Sequence, residues 1–217
     1  TTQQSIRQRA ANEFLFIAGF ATDSCASFMD LTIRKNHPAL GLMDSLGNVA
    51  SLRYYELNTP ACSSIPRDLE VTEDGGAVLW GSDRSFFALR VDAAREPVWA
   101  KHFGYHNFVV PPIGHSGSFQ FIRELPGGDL LAGFNMDTAG ASVARMDAMG
   151  NTLWCRSYFP EGMIHDCVIQ SDESYLILGT TDTIASTNTI IPVPPDYNPR
   201  LFLMKLNGAG EVQWCRG

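Results

Sequence analysis

Residues 146–159 read MDAMGNTLWCRSYF and residues 206–217 read LNGAGEVQWCRG. Each places a Gly three residues, and Trp-Cys-Arg seven residues, after an Asp or Asn: Asp147, Gly150 and Trp154, then Asn207, Gly210 and Trp214. One phrase recurring at one spacing is the signature of stacked structural repeats, and it has to be followed along the chain before any single element is assigned. Two further copies lie upstream. ALGLMDSLGNVASLRYY (39–55) carries Asp44 and FFALRVDAAREPVWAKHF (86–103) carries Asp92; Trp99 joins Trp154 and Trp214, while the first copy has Ser51. Ahead of the Asp or Asn, apolar residues flank one cation: Leu89-Arg90-Val91, Ala144-Arg145-Met146 and Met204-Lys205-Leu206. That alternation is a strand with one wet face. The phrase itself predicts a tight turn. The Asp or Asn oxygen accepts backbone N–H groups, and Gly47, Gly150 or Gly210 takes positive φ; Arg95 stands there in the second copy.

A second hairpin precedes each copy. RQRAANEFLFIAG (7–19), LEVTEDGGAVLWG (69–81), FIRELPGGDLLAG (121–133) and CVIQSDESYLILG (167–179) align without gaps on Gly19, Gly81, Gly133 and Gly179. Their turns are Asp74-Gly75-Gly76, Pro126-Gly127-Gly128 and Asp172-Glu173-Ser174 in the last three; Arg7 and Arg9 make the first the poorest match. Apolar run, polar turn, apolar run is hairpin grammar. Each unit is therefore four strands, a to d, of roughly 45–60 residues, the size of a β-propeller blade. The expected fold is all-β, a β-propeller of four-stranded antiparallel blades over about 5–66, 67–119, 120–164 and 165–217. The chain is one propeller domain or part of one. A Trp at one register on each outer strand is expected to pack over the neighbouring blade.

The pattern resembles the D-G-G…G…D-x-x-G-N-x-x-W repeats of secreted and surface β-propeller proteins. Those are common in Bacteroidota and associated with type IX secretion. The resemblance rests on Asp74, Gly75, Gly76, Gly81, Asp92, Trp99, Gly127, Gly128, Gly133, Asp147, Gly150, Trp154, Gly179, Gly210 and Trp214. It implies an exported or cell-surface scaffold. The Asp-to-Trp segment is also similar to the tryptophan-docking motif of quinoprotein propellers. Its spacing is one residue shorter, and Met149 or Ala209 precedes the Gly where that family has Thr. Propellers of the first type commonly have six to eight blades. The expectation is a piece of a larger propeller, the alternatives being a closed four-bladed ring or a part that assembles with another chain.

Totals bound the function. The formal charge is -7 and the pI about 5.1. No basic run is present, which speaks against a nucleic-acid partner. No apolar run approaches the roughly 18 residues of a membrane-crossing helix. None of the G-x-S-x-G, H-E-x-x-H, phosphate-loop and C-x-x-C motifs occurs, and no cofactor is expected.

In a propeller the a–b and c–d turns lie on one face and the b–c and d–a connections on the other. The length here is confined to the second. ATDSCASFMDLTIRKNHP and TTDTIASTNTIIPVPPDYNP are expected as b–c loops, LNTPACSSIP and FGYHNFVVPPIGHSGS as d–a loops. Loops on a rigid scaffold are where binding is built. Tyr105, His106, Phe108, His115 and Tyr197 are the candidate binding residues, with the stretch 191–199 beside them. His37 and His102 fall near the same face. A metal would draw on His106, His115 and His165, with Asp166; calcium would draw on Asp23, Asp30, Asp182 and Asp196. No ligand spacing joins either set. Cys25 and Cys62 both lie in first-blade insertions and are the candidate disulfide. Cys155 and Cys215, on neighbouring outer strands, stand too far apart to pair, and Cys167 reads as a small buried hydrophobe. The reading is a non-catalytic scaffold binding a protein or glycan through this face. The alternatives are a propeller hydrolase, lyase or quinoprotein, and a structural spacer in a surface filament or secretion assembly.

Overall fold

The computed structural model describes residues 5–28, 31–57, 65–82, 86–103, 117–136, 140–160, 162–181, 183–186, 189–192 and 200–217. The chain is all-β, with no helix among these residues. Its four four-stranded antiparallel sheets are the blades of a β-propeller. The first is β1 (Ile6–Ala10), β2 (Glu13–Phe28), β3 (Leu31–Asp44) and β4 (Val49–Tyr54), in that order. The second is β5 (Ile65–Val71), β6 (Ala77–Ser82), β7 (Phe86–Val91) and β8 (Pro97–Phe103). The third is β9 (Gly117–Glu124), β10 (Leu130–Met136), β11 (Gly140–Met146) and β12 (Thr152–Phe159). The fourth is β13 (Met163–Ile169), β14 (Tyr175–Thr181), β17 (Arg200–Leu206) and β18 (Val212–Arg216), with the hairpin of β15 (Thr183–Ser186) and β16 (Thr189–Pro192) inserted. The chain forms two compact units, Thr1–Gly104 and Tyr105–Gly217, of two sheets each.

The turn phrase behaves as its chemistry dictates. Asp44 Oδ1 accepts from the N–H groups of Leu46 (2.9 Å) and Asn48 (2.8 Å), and Asp147 and Asn207 do the same for their own turns. The third turn residue has φ of 85°, 64°, 72° and 75° at Gly47, Arg95, Gly150 and Gly210. Arg95 thus holds the left-handed backbone of the glycines it replaces. Glu173 (φ 58°) does so in an a–b turn, at the place of Gly75 and Gly128.

That equivalence corrects the gapless alignment. Gly128 and Gly75 both donate to the residue three before them, so the third turn slips by one residue against the second. Gly133 therefore pairs with Val143, whereas Gly81 and Gly179 pair with Phe87 and Phe202, one residue further from the c–d turn. Gly19 overshoots by one, pairing with Pro38, and the space at its Cβ is open. What recurs is a Gly opposite a Phe. Gly41 faces Phe16, Gly81 Phe87, Gly133 Phe121 and Gly179 Phe202 across the ladder, and in each case a Cβ would strike the ring. A ring lying over a neighbouring strand needs a residue without a side chain beneath it.

Two expected loops are strands. The first b–c insertion continues β2 and β3 as a two-stranded arm, from Phe20 opposite His37 to Phe28 opposite Leu31. The second contains the β15–β16 hairpin, whose Thr-Ile-Ala-Ser and Thr-Ile-Ile-Pro are rich in β-branched residues. A continued ladder satisfies backbone N–H and C=O groups that a long bare loop would leave to water.

Candidate functional site

Within each unit the second sheet sets its inner strands on one face of the first. In Thr1–Gly104, Leu15, Ile17, Leu40 and Tyr55 pack with Leu69, Ala77, Leu79, Leu89 and Val91. In Tyr105–Gly217, Phe121, Leu131, Ala141 and Val143 pack with Cys167, Tyr175, Ile177, Phe202, Met204 and Leu206. Full burial of each Leu, Ile or Phe stabilises by about 1.5–3 kcal/mol.

The polar residues at these joints repeat in register. Tyr55 and Tyr158, both eleven residues after the turn Asp, donate their hydroxyls to the carbonyls of Arg95 (3.0 Å) and Gly210 (2.7 Å) in the next sheet's c–d turn. Burial pushes the Tyr55 phenol up to about 12 and raises that of Tyr158, so both stay protonated donors at neutral pH. Arg53 and Arg156, two residues earlier, face Glu96 (2.5 Å) and Glu211 (4.0 Å). On the inner side Arg7 holds Asp68 (3.0 Å) and Arg123 holds Asp166 (2.9 Å). Trp154 lies against the next turn as expected: a Cβ on Gly210 would stand 2.8 Å from its ring. Trp99 is buried, and Trp214 carries the Arg216 guanidinium 5.3 Å above its ring.

The cations expected on a wet face are tied within their own sheets. Arg90 pairs with Asp74 (3.2 Å), Arg145 with Asp129 (2.8 Å) and Lys205 with Asp172 (3.0 Å). Arg90 is buried rather than solvated. Arg145 also lines a cavity of about 40 Å³ with Leu125, Pro126, Ile169, Glu173 and Tyr175, on the side of the short turns. That volume holds a few water molecules and is far below the few hundred Å³ of an organic ligand site.

Most residues proposed for binding lie outside the described residues: Tyr105, His106, Phe108, His115, Tyr197 and the Asp30, Asp182 and Asp196 carboxylates. The Cys25–Cys62 pair does too, since Cys62 is not described and Cys25 lies in the arm, whose side chains are not. His165 is described. Its Nε2 is 3.0 Å from the Thr180 hydroxyl, and its neighbour Asp166 is engaged by Arg123 and the Cys167 N–H. His37 and His102 sit near the rings of Tyr54 and Phe87. Among the described residues no three His, Cys, Asp or Glu side chains come together as a metal site. No disulfide joins Cys155, Cys167 or Cys215; Cys167 is buried in the core, and burial pushes the Cys155 thiol up to about 12.

No family model and no curated protein matches the chain. Solved structures do. A protein of unknown function from Bacteroides caccae superposes with a TM-score of 0.51 at 13% identity, covering 97% of this chain and 80% of that one. A luciferin-regenerating enzyme (TM-score 0.43, 11% identity) covers 77% of this chain and 50% of that one. A streptogramin B lyase (TM-score 0.43, 13% identity) covers 95% and 74%. At such identities the first likeness is one of fold alone, and the other two carry no argument about this chain.

The latch residues were visible as columns in the aligned repeats, Arg-Tyr-Tyr at 53–55 and Arg-Ser-Tyr at 156–158. Their partners, three and four residues into another repeat's turn, were not, because nothing in one repeat says what lies beside it.

Proposed function

We propose that this chain is a non-catalytic β-propeller scaffold of an exported or cell-surface protein, binding a protein or glycan at the end of the blades that carries the insertions. One observation carries the reading. Both described insertions, the β2–β3 arm and the β15–β16 hairpin, extend b–c connections, while the opposite turns are short and their charged residues pair within a blade or, as with Arg53 and Glu96, with the next one. Among the described residues no third strand pairs with the arm beyond Phe20. Its edges offer backbone N–H and C=O groups to which an extended segment can add as a further strand.

The test replaces residues 21–36 by Asn-Gly and compares the trimmed with the intact chain on arrays of immobilised glycans and extended peptides. The expected result is a ligand held by the intact chain, released by the trimmed one, with unchanged melting and no chemical conversion. Equal binding by both chains would remove the arm from the site. Turnover of a bound ligand would put the enzymatic reading first.

A further inference from the structure

The fourth sheet repeats the apolar face, and the Trp and Arg of the outer strand, with which the first and third sheets receive a neighbour, and leaves much of that face exposed. Leu176, Leu178, Leu201 and Leu203 stand at the registers of Leu131, Gly133, Ala141 and Val143 in the third sheet and of Leu15, Ile17, Pro38 and Leu40 in the first. There these positions are buried under the next sheet; here Leu201 is 65% exposed, and Leu178 and Leu203 are exposed with it. Trp214 and Arg216 occupy the registers of Trp154 and Arg156, which engage a neighbouring turn.

The first sheet presents the matching face. Ile6 is 46% exposed where its equivalents Leu69 and Cys167 are buried. Phe14, Phe16 and Met43 are only half-buried at the registers of Ala77, Leu79 and Val91. Gly47 has open space at its Cβ, where Gly210 has the Trp154 ring. Charge agrees as well. Both internal joints set an Arg on the receiving a strand against an Asp, Arg7 with Asp68 and Arg123 with Asp166. At the same registers the fourth sheet has Val168, 62% exposed, and the first has Ser5, whose hydroxyl is buried with no partner. At this register neither side leaves a charge to be buried unpaired.

We propose that the outer face of the fourth sheet docks the first sheet of a second copy of this chain, continuing the blade-on-blade packing across a head-to-tail joint. Head-to-tail joints make closed rings when the rotation returns on itself. The smallest closed species such a joint makes is a dimer with two equal joints, and that is the species expected.

Sedimentation velocity of the intact chain at micromolar concentrations tests this. The expected result is a reversible species of twice the 23.8 kDa chain mass. The double variant Leu201→Asp/Leu203→Asp, whose residues are exposed in the single chain, should weaken association at least tenfold with circular dichroism and melting unchanged. A monomer at every concentration would overturn the proposal, as would a dimer indifferent to these substitutions. Ser5→Cys/Val168→Cys adds a readout of source. Under mild oxidation, against the unsubstituted chain as background, a disulfide-linked dimer is expected, and a cross-link within one chain would overturn the proposal in favour of self-closure.

Discussion

Arg95 and Glu173 hold backbone conformations that glycine holds at the same turn positions in the other blades. A non-Gly residue in the left-handed region costs about 1 kcal/mol or more. Glycine gives part of that back through its freer unfolded chain. Arg95→Gly should therefore stabilise by about 0.5 kcal/mol, read as a higher denaturant midpoint at constant slope. Gly47 and Gly210 make the complementary pair. Both have positive φ, but only at Gly210 would a Cβ enter a ring. Gly47→Ala should cost about 1 kcal/mol, and Gly210→Ala roughly twice that, because Trp154 must also shift. A pair of chemical denaturation curves separates the two; equal losses would mean that Trp154 does not seat on the turn. Asp172 supplies a pH dependence. The Ser174 hydroxyl first, then Lys205, lower its carboxyl from the ordinary 3.8 to about 2. A depressed folded value makes this contribution complete above pH 3.8 and lost as pH falls toward 2. Asp172→Asn should flatten the acid limb of stability in that window, at a small cost that is present at neutral pH and vanishes as pH falls toward 2, since the pair is exposed.

At the scale of elements, the joint between sheets rests on an apolar face with a tyrosine at its rim. Tyr55→Phe and Tyr158→Phe keep the ring and remove one neutral hydrogen bond. Each should cost about 1 kcal/mol, more at Tyr158 if the Gly210 carbonyl finds no water in exchange. A melting temperature unmoved in either variant would mean that apolar packing alone carries that joint. Strand assignment was legible because short apolar or half-alternating runs, as in Leu89-Arg90-Val91, are bounded by polar turns at fixed spacing. The c–d turns were legible because an Asx side chain and a left-handed residue are local requirements. The a–b register was not. Whether Gly133 or Phe134 aligns with Gly81 depends on one residue in the Pro126-Gly127-Gly128 turn, and a one-residue slip in a strand moves every side chain to the other face. The arm was misread for a related reason. Residues 20–37 are polar enough for a loop, and only the partner strand shows that the ladder continues through them.

At the scale of the molecule, the two latched joints lie in separate compact units and share no partner. The double variant Tyr55→Phe/Tyr158→Phe should lose the sum of the single losses within about 0.5 kcal/mol; a larger excess in thermal unfolding would mean the units melt as one. The candidate site divides along the same line. Its proposed face, the end of the b–c and d–a connections, was read from connection lengths, which any reading of the chain can measure. That the insertions there are β-arms, and that the cations of the opposite end are tied to carboxylates, required the neighbours to be in place. By itself the sequence determined the repeat, the four-stranded blade and the geometry of its turns, because these depend on side chains a few residues apart. Only the tertiary structure decided which carbonyl Tyr158 reaches, which ring covers Gly210 and which face of the fourth sheet stays bare, because those contacts join residues whose separation along the chain says nothing of their distance in space.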